Sequence, residues 1–279
     1  MFGSILLHES AKHNLQALAE RPPQGILFVG PEGIGKMTVA SELAGHLVDH
    51  PTSIRVISPD EKGTIAIETI RELYKATRAK QAGHQVVIVE RADRMSMEAE
   101  NAFLKLLEEP RAGLTFMLTT PQLESLLPTI LSRIQHLSLA PLPDDAIRRL
   151  VMGKQPGIAQ SDLSQLIFLA QGRPGVALKL LDGDALPKQR DRMQIVKQLL
   201  GAKPHERFVL TGKMSGSRED CLETLSAMAH VVEVQLGSAT SPTQAAHWTK
   251  LAAALEEAQL AISRNGNVKA QLLQLFSRY

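Results

Sequence analysis

The residues with the clearest chemical meaning form a glycine-rich turn near the start of the chain. They are Gly30, Pro31, Glu32, Gly33, Ile34, Gly35 and Lys36. Glycines at this spacing let backbone N–H groups turn inward around an anion, and the lysine reaches the outer phosphates of a nucleotide. An apolar run at 25–29 precedes the turn, and Val39, Leu43 and Leu47 follow it at helical spacing. The sequence therefore predicts a strand, a phosphate-binding loop (P-loop) and a helix.

The position after the lysine departs from the phosphate-binding pattern. The pattern requires a Ser or Thr hydroxyl there to bind Mg²⁺, and this chain has Met37. Thr38 is a poor substitute, because one residue along a helix turns the side chain by about 100°. The sequence predicts the shape of a nucleotide-binding loop, with Met37 and Thr38 at its end. It leaves open whether this degenerate site binds ATP or is empty.

Strands and helices alternate through the first half of the chain. An unbroken apolar run at 86–89 predicts a strand that is buried on both faces, as in parallel sheets covered by helices, and 115–120 predicts another buried strand. Further strands are predicted at 25–29, 54–57 and 134–139, and helices at 8–20, after the loop, at 67–76 and around Ala99 to Leu107. We predict an α/β P-loop fold with a parallel sheet, whose ligands bind at the carboxyl ends of the strands.

Proline-containing stretches at 141–143 and 183–187 divide the chain. The predicted domains are 1–140 with the sheet, 141–186 with three short helices, and 187–279 with helices only. Helices are predicted at 144–153, 160–170, 174–182, 190–200, 206–213, 219–236, 243–263 and 267–277. Leu222, Leu225, Met228, Val232 and Leu236 form one apolar stripe, which is typical of a core or a subunit interface.

Composition excludes several classes of protein. The net charge of the 279 residues is +2, so no global field indicates a nucleic-acid partner, although a local basic patch such as 188–192 stays open. Cys221 is the only cysteine, which excludes an internal disulfide and a Cys-rich zinc site and suits a buried thiol in a reducing cytoplasm. The amino terminus lacks the pattern of a signal peptide, and no apolar stretch reaches the roughly 18 residues of a membrane helix. We predict a cytoplasmic protein.

Three stretches together resemble clamp-loader subunits of the AAA+ class. They are the P-loop, Asn-Ala-Phe-Leu-Lys-Leu-Leu-Glu-Glu-Pro at 101–110, and Leu-Pro-Thr-Ile-Leu-Ser-Arg at 127–133. Weaker similarity at 70–73, 172–178 and 265–268 extends the resemblance over essentially the full length. The resemblance implies an AAA+ P-loop domain, then a small helical lid at 141–186, then an all-helical collar domain at 187–279 through which subunits assemble.

The resemblance also identifies which catalytic groups are missing. Active members have Asp-Glu at the end of the strand that corresponds to 86–89, where Asp binds Mg²⁺ and Glu polarises the attacking water. At the two aligned positions this chain has Glu90 and Arg91. Glu90 keeps a carboxylate, one methylene longer, whereas the guanidinium of Arg91 cannot accept a proton. Active lids carry an arginine where this chain has Gly175. With Met37, three parts of the hydrolysis site are absent, and we expect no ATPase activity of its own.

One functional residue of the resemblance remains. In clamp loaders the arginine that aligns with Arg133 projects into the nucleotide site of a neighbouring subunit, as an arginine finger that stabilises charge on the γ-phosphate. Ile134 replaces the cysteine that follows it in the family. The alternative for Arg133 is a solvated surface charge. Many relatives carry a four-cysteine zinc module between the two loops, and its absence predicts no zinc and no other metal site. Thr119 and Thr120, where the family has a sensor residue, are interpreted as strand-end hydroxyls that bond local backbone.

The resemblance implies a largely non-catalytic stator in the clamp loader of bacterial DNA polymerase III, a DNA-directed DNA polymerase. This complex loads the sliding clamp onto primed DNA during replication. The implied partners are the gamma/tau ATPase and delta subunits, the sliding clamp, and primer–template DNA through the assembled complex. Because Lys36, the loop glycines and Glu90 remain, the alternative is a catalytically active AAA+ ATPase, either a gamma/tau-like motor subunit or another AAA+ machine.

Overall fold

The structure is a computed structural model that describes residues 5–78, 83–109, 111–182, 185–203, 206–207, 210–211, 217–263 and 266–278. The chain divides into two compact units, Met1–Leu180 and Leu181–Tyr279, and each is described by itself. The predicted boundary at 140 inside the first unit stays a prediction. Within the described ranges, no helix combines the length and the apolar character that crossing a membrane requires.

The first unit is built on a parallel five-stranded sheet. Its strands are β1 (Gly25–Val29), β2 (Ile54–Ile57), β3 (Gln85–Val89), β4 (Leu114–Thr120) and β5 (Gln135–Ser138). Their spatial order is β2-β3-β4-β1-β5, and every pair of neighbours is parallel. The central strands β1, β3 and β4 are buried along almost their whole length, which explains why they are mostly apolar. The predicted parallel α/β fold is confirmed.

The described part of this unit contains eight helices, and those up to residue 131 cover both faces of the sheet. They are α1 (Glu9–Glu20), α2 (Lys36–Leu47), α3 (Ile67–Arg78), α4 (Met97–Glu108), α5 (Pro128–Leu131), α6 (Asp144–Lys154), α7 (Gln160–Ala170) and α8 (Pro174–Leu181). Short 3₁₀ turns lie at Pro51–Ser53, Ala92–Arg94 and Leu123–Ser125. One apolar cluster joins α3, α4 and α5 to the sheet, and a second joins α1 and α2 to the opposite face. In the first cluster, the rings of Phe103 and Phe116 pack edge to face with centroids 5.2 Å apart.

A buried carboxylate ties α4 to the segment before α5. Glu100 is 8% exposed, and its Oε2 accepts a 2.8 Å hydrogen bond from the backbone N–H of Leu127. Burial raises the pKa of Glu100 above its ordinary value, and the hydrogen bond opposes that shift in part. The link fixes the start of the 127–133 segment against the sheet.

The second unit is helical throughout its described part. Its helices are α9 (Ala185–Gly201), α10 (Arg218–Gly237), α11 (Pro242–Ser263) and α12 (Val268–Arg278). The predicted start of α9 at residue 190 is wrong. Pro187 lies in the first turn, where a helix needs no N–H donor, so the proline does not delay the helix. Half of the helix predicted at 206–213 lies outside the described residues, and the described half, 206–207 and 210–211, is helical.

The apolar stripe of α10 forms part of the core of this second unit. Cys221, Leu225, Met228 and Val232 are fully buried, whereas the predicted stripe members Leu222 and Leu236 are half-buried. The thiol of Cys221 is free, and burial raises its pKa. The stripe therefore packs inside the unit.

Candidate nucleotide site

The P-loop connects the buried strand β1 to α2, as the sequence predicts. Gly30, Gly33 and Gly35 all have positive φ angles, of 155°, 80° and 99°. A Cβ atom on Gly30 would lie 2.5 Å from the carbonyl oxygen of Leu139, so the turn requires glycine there. Ile34 is buried and joins the cluster beneath α1 and α2. The loop thus has a backbone form that only a glycine-rich sequence can adopt.

The ammonium group of Lys36 is held by its own loop. Its Nζ donates to the carbonyl oxygens of Gly30 at 2.6 Å and Pro31 at 3.0 Å. Desolvation lowers the pKa of Lys36, the carboxylates of Glu32 and Asp93 oppose this shift, and Arg91 adds to it. An incoming phosphate would have to compete with the two carbonyls for the same ammonium group.

The next two side chains offer no magnesium ligand in the expected place. Met37 is half-buried and packs against the apolar cluster between α2 and the sheet, and a thioether is too soft to bind Mg²⁺. Thr38 is exposed on α2, one helical position away. The predicted loss of the hydroxyl at residue 37 therefore coincides with an apolar packing role.

Glu90 bonds away from the P-loop. Its Oε2 accepts a 2.8 Å hydrogen bond from the hydroxyl of Ser58, which follows β2, and its backbone N–H donates to the carbonyl of Ile57 at 2.8 Å. In the sheet order, β2 lies on one side of β3, and β1 with the P-loop lies on the other side, beyond β4. The carboxylate predicted at the magnesium position is therefore engaged toward the far edge of the sheet.

Arg91 joins the P-loop to the end of β3. Its backbone is left-handed, with φ of 53°, and its N–H donates to the hydroxyl of Thr119 at 2.9 Å. One guanidinium nitrogen lies 3.3 Å from Glu32 Oε1, and the other lies 3.4 Å from Asp93 Oδ2. A guanidinium that is always protonated bridges two carboxylates at the position where the resemblance implies a general base.

The first turn of α8 rests directly on the loop. The backbone N–H of Gly175 donates a 2.8 Å hydrogen bond to the carbonyl oxygen of Gly33. A Cβ atom on Gly175 would lie 2.8 Å from that oxygen, and a Cβ atom on Gly33 would lie 2.5 Å from Val176 Cγ2. The backbone contact therefore leaves no room for the arginine that active relatives are expected to carry at residue 175.

Arg133 lies at the surface, apart from the loop, and pairs with Glu108. Its Nη2 lies 2.9 Å from Glu108 Oε1, and its Nη1 donates to the carbonyl of Thr129 at 3.0 Å. The side chains of Arg133 and Glu108 are 39% and 52% exposed. Exposed ion pairs of this kind contribute about 0 to 1 kcal/mol, so little free energy holds the guanidinium in place.

The two threonines at the end of β4 are both buried and hydrogen-bonded. The hydroxyl of Thr120 bonds the carbonyl of Gln122 at 2.9 Å and the hydroxyl of Ser125 at 2.8 Å, so its contacts are local, as the sequence analysis predicts. Thr119 instead accepts the N–H of Arg91, which follows the neighbouring strand β3, so the expected local contact is wrong for this residue. Within the ranges that the structure describes, no group of three or more His, Cys, Asp and Glu side chains is placed to hold a metal ion.

Sequence reasoning did not predict the ion pairs of these arginines: it placed Glu32 in the phosphate-binding loop and gave no role to Asp93 or Glu108. Glu32 and Asp93 bind Arg91, and Glu108 binds Arg133. Glu108 belongs to a stretch that the resemblance singled out, and Glu32 lies inside the loop motif itself. The sequence shows acidic residues in the same motifs as Arg91 and Arg133. It does not show which acidic residue pairs with which arginine, because that depends on the fold.

Comparison with known proteins identifies relatives of this chain. A family model described as DNA polymerase III, delta subunit, matches residues 49–143. The DNA polymerase III subunit delta-prime of Pseudomonas aeruginosa is 30% identical over 209 residues, covering 64% of this chain and 63% of that protein. This chain is similar to the delta-prime subunits over these residues. The resemblance found in the motifs is thereby confirmed.

Other relatives show that the chain is similar to more than one kind of DNA polymerase III subunit. The gamma/tau subunit of Mycobacterium tuberculosis (strain ATCC 25618 / H37Rv) is also 30% identical, over 202 residues, covering 63% of this chain and 35% of that protein. A crystal structure of a DNA polymerase III gamma subunit-related protein from Thermotoga maritima covers 95% of this chain and 97% of its own, with a TM-score of 0.57 and 22% identity. That likeness shows that the two chains share a fold. The chain spans less than two thirds of the length of these two curated relatives. Since overall identity does not separate delta-prime from gamma/tau, the residues around the loop must do so.

Proposed function

We propose that this chain is a non-catalytic subunit of a clamp loader, with the delta-prime role. The observation that carries this proposal is the bridge from Arg91 to Glu32 and Asp93, because it puts a permanent cation where hydrolysis needs a proton acceptor. Two further features support it. Met37 packs into the core, and Gly175 occupies the space of the lid arginine. These residues do not fit Mg²⁺-ATP hydrolysis, and no catalytic step is assigned to them.

In this proposal Arg133 acts on the nucleotide of a neighbouring subunit. Its guanidinium is 39% exposed, and a weak pair with Glu108 orients it without burying it. A planar guanidinium suits the equatorial oxygens of a γ-phosphate, which it can meet with two parallel hydrogen bonds. The neighbour would be a gamma/tau-type ATPase.

The remaining partners follow from the same role. The helical second unit would form the collar, together with the gamma/tau and delta subunits. The assembled complex would contact the sliding clamp and primer–template DNA, and the protein would work in the cytoplasm. The 187–279 region has its apolar α10 stripe buried internally, so the collar contact would use other surfaces of its helices.

A catalytically active motor subunit, gamma/tau-like or from another AAA+ machine, is the second candidate. The loop keeps the positive φ angles of a phosphate cradle and a buried Lys36 at its end. These features are compatible with nucleotide binding, and they make ATP the ligand to test.

Two measurements separate the candidates. The purified chain is assayed for ATP turnover and, by equilibrium dialysis with ATP and Mg²⁺, for binding. The non-catalytic proposal expects no turnover above background whether or not ATP binds. Turnover near 1 per second, ordinary for enzymes, would refute it and favour the motor subunit. Co-purification with gamma/tau-type and delta subunits then tests the assembly; a chain that enters no such complex would refute the clamp-loader role.

A further inference from the structure

A surface groove of about 580 Å³ runs between α3 and α4, on the sheet face opposite α2. Its floor consists of Ile67, Ile70, Ala102 and the ring of Tyr74. None of the P-loop residues lines it. Its volume falls within the range of about 300–1,000 Å³ that is usual for ligand pockets.

The two helices that form the groove run side by side in the same direction. They follow consecutive parallel strands, β2 and β3, in a sheet ordered β2-β3-β4, so right-handed crossovers place both on one face. A parallel bridge pairs Ile65 with Met95, just before the two helices begin. Residues thirty apart therefore lie at matching heights. By this register, Lys75 and Lys105 flank the groove at one level in the second half of the helices.

The charged rim of the groove is mostly basic. Arg71, Lys75 and Lys105 line it, and all three side chains belong to exposed residues. In the described part of the chain, none of these three side chains makes a hydrogen bond or an ion pair. Glu98, near the start of α4, is the acidic residue of the lining. The groove thus combines an apolar floor with unpaired cationic side chains. Two of these, Lys75 and Lys105, lie in the second halves of α3 and α4.

We propose that this groove binds a short acidic, amphipathic helix of a partner protein. Apolar side chains at i, i+3 or i+4, and i+7 would lie on the floor between α3 and α4, as in other helix-in-groove complexes. Asp or Glu side chains on the flanks of that helix would pair with Lys75 and Lys105, and with Arg71 one turn earlier. The inference concerns a surface remote from the P-loop motif and does not depend on the proposed clamp-loader role.

The chemistry of the floor favours a protein helix over nucleic acid. Non-specific binding of single strands uses several aromatic faces for base stacking, and this groove has one aromatic residue, Tyr74. The Tyr74 hydroxyl donates to Glu109 Oε2 at 3.1 Å, which fixes the orientation of this ring. Aliphatic side chains on the floor match the apolar face of a helix.

The test uses the full chain and a defined probe. The probe is a fluorescein-labelled, helix-stapled peptide of about 15 residues, because shorter free helices are marginal in water. It carries Leu at i, i+3 or i+4, and i+7 and Glu on the flanks; a matched peptide has Lys in place of every Glu. Fluorescence anisotropy should show saturable binding of the Glu peptide and at least about tenfold weaker binding of the Lys peptide.

Variants locate the binding site. Lys75→Glu with Lys105→Glu should weaken binding of the Glu peptide about tenfold or more, and the effect should shrink as salt is added. The control is Lys250→Glu with Lys269→Glu, which makes the same charge change at exposed positions of the second unit and should leave binding unchanged. Ala102→Leu should also weaken binding by filling the floor, provided that its circular dichroism matches the wild type.

Three results would overturn the proposal. The first is an absence of saturable binding by the Glu peptide. The second is equal affinity of the wild-type chain for the two peptides, or equal affinity of the groove and control variants for the Glu peptide. The third is binding of an oligo-dT strand that the Lys75→Glu and Lys105→Glu changes abolish while Ala102→Leu does not. That pattern would assign the basic rim to nucleic acid.

Discussion

The backbone N–H of Gly175 and the carbonyl oxygen of Gly33 are joined by a 2.8 Å hydrogen bond across 142 residues of chain. Each residue must be glycine for this contact, because a Cβ atom on either one would come within 3.0 Å of an atom near the other. The first turn of α8 therefore belongs to the wall of the P-loop.

Gly175→Ala should destabilise the first unit by about 1–3 kcal/mol, since the new methyl group would meet a backbone carbonyl that cannot rotate away. Gly45→Ala is the control. Gly45 lies in the last turn of α2 with open space around it, and alanine there should stabilise by at most about 1 kcal/mol. Urea titration with hydrogen exchange of the β1 and β4 amides measures both. Equal effects of the two changes would mean that α8 does not contact the loop.

The purified chain should show no ATP turnover, and Met37→Thr with Arg91→Glu should not restore it. The glutamate introduced at 91 would lie beside Glu32 and Asp93, and three neighbouring carboxylates repel each other. Arg91→Glu should therefore cost about 1–3 kcal/mol of stability, more than Arg94→Glu, whose side chain is 52% exposed. Phosphate-release assays and urea titrations report the two effects. Turnover restored in the double variant would show that only catalytic groups were lost.

Arg133→Ala should leave the subunit folded and able to assemble, with a stability change below about 1 kcal/mol. The reconstituted loader should nevertheless hydrolyse ATP more slowly, by an order of magnitude or more, because an arginine finger contributes about 10³–10⁵ in related NTPases. Arg133→Lys should rescue poorly, since a single ammonium group cannot reproduce the planar fork.

Glu108→Gln provides the matched control for Arg133. It removes the intrachain partner of the guanidinium but keeps the guanidinium itself, so the DNA-stimulated rate of the loader should change little. Gel filtration confirms assembly in each case. If Arg133→Ala leaves the rate unchanged in an intact complex, Arg133 is only a surface charge.

Glu100 should make the first unit relatively more stable at acid pH. Burial raises the pKa of this carboxyl above its ordinary value of 4.5, so the folded state binds the proton more tightly than the unfolded chain. Its stabilising contribution is complete below that ordinary value and is lost as the pH rises through the folded-state pKa. Glu100→Gln keeps an acceptor for the Leu127 N–H and removes the charge, so its advantage over the wild type should grow between acid and neutral pH.

Glu98→Gln removes the same charge from an exposed position on α4 and is the comparison for Glu100. Urea titrations over the acid-to-neutral range give the free energy of unfolding of each variant. An advantage of Glu100→Gln that stays constant with pH would contradict the assignment.

A chain that ends at residue 182 should remain folded and fail to join the proposed complex. The first compact unit ends at Leu180, whereas a cut at the predicted boundary of 187 would fall inside α9 and leave a short helical remnant. Circular dichroism and size-exclusion chromatography with partner subunits test the two parts of this statement. Full assembly by the truncated chain would move the interface into the first unit.

Much of the fold could be predicted because its signals are local. An unbroken apolar run predicted β3, a mostly apolar segment predicted β4, and the glycine pattern predicted the loop between β1 and α2. The start of α9 was missed because Pro187 was interpreted as a helix breaker, although proline is tolerated in a first turn.

The contacts that define the site could not be predicted in the same way. Gly33 meets Gly175 and Glu108 meets Arg133 only because separate elements converge at the sheet. The family resemblance identified Arg91 as an unsuitable base, but it did not show that the guanidinium bridges Glu32 and Asp93. Local patterns specify which groups are present, and the packing specifies which groups they meet.

The burial of Cys221 gives the second unit an internal reporter of its own opening. The thiol is inaccessible in the folded helix α10, and it is the only one in the chain. A thiol reagent can therefore react only when the surroundings of α10 open. Where reclosing is faster than the chemical step, the labelling rate gives the free energy of that opening. The stability of this unit can thus be followed in the unmodified protein and inside an assembly, without a probe being introduced.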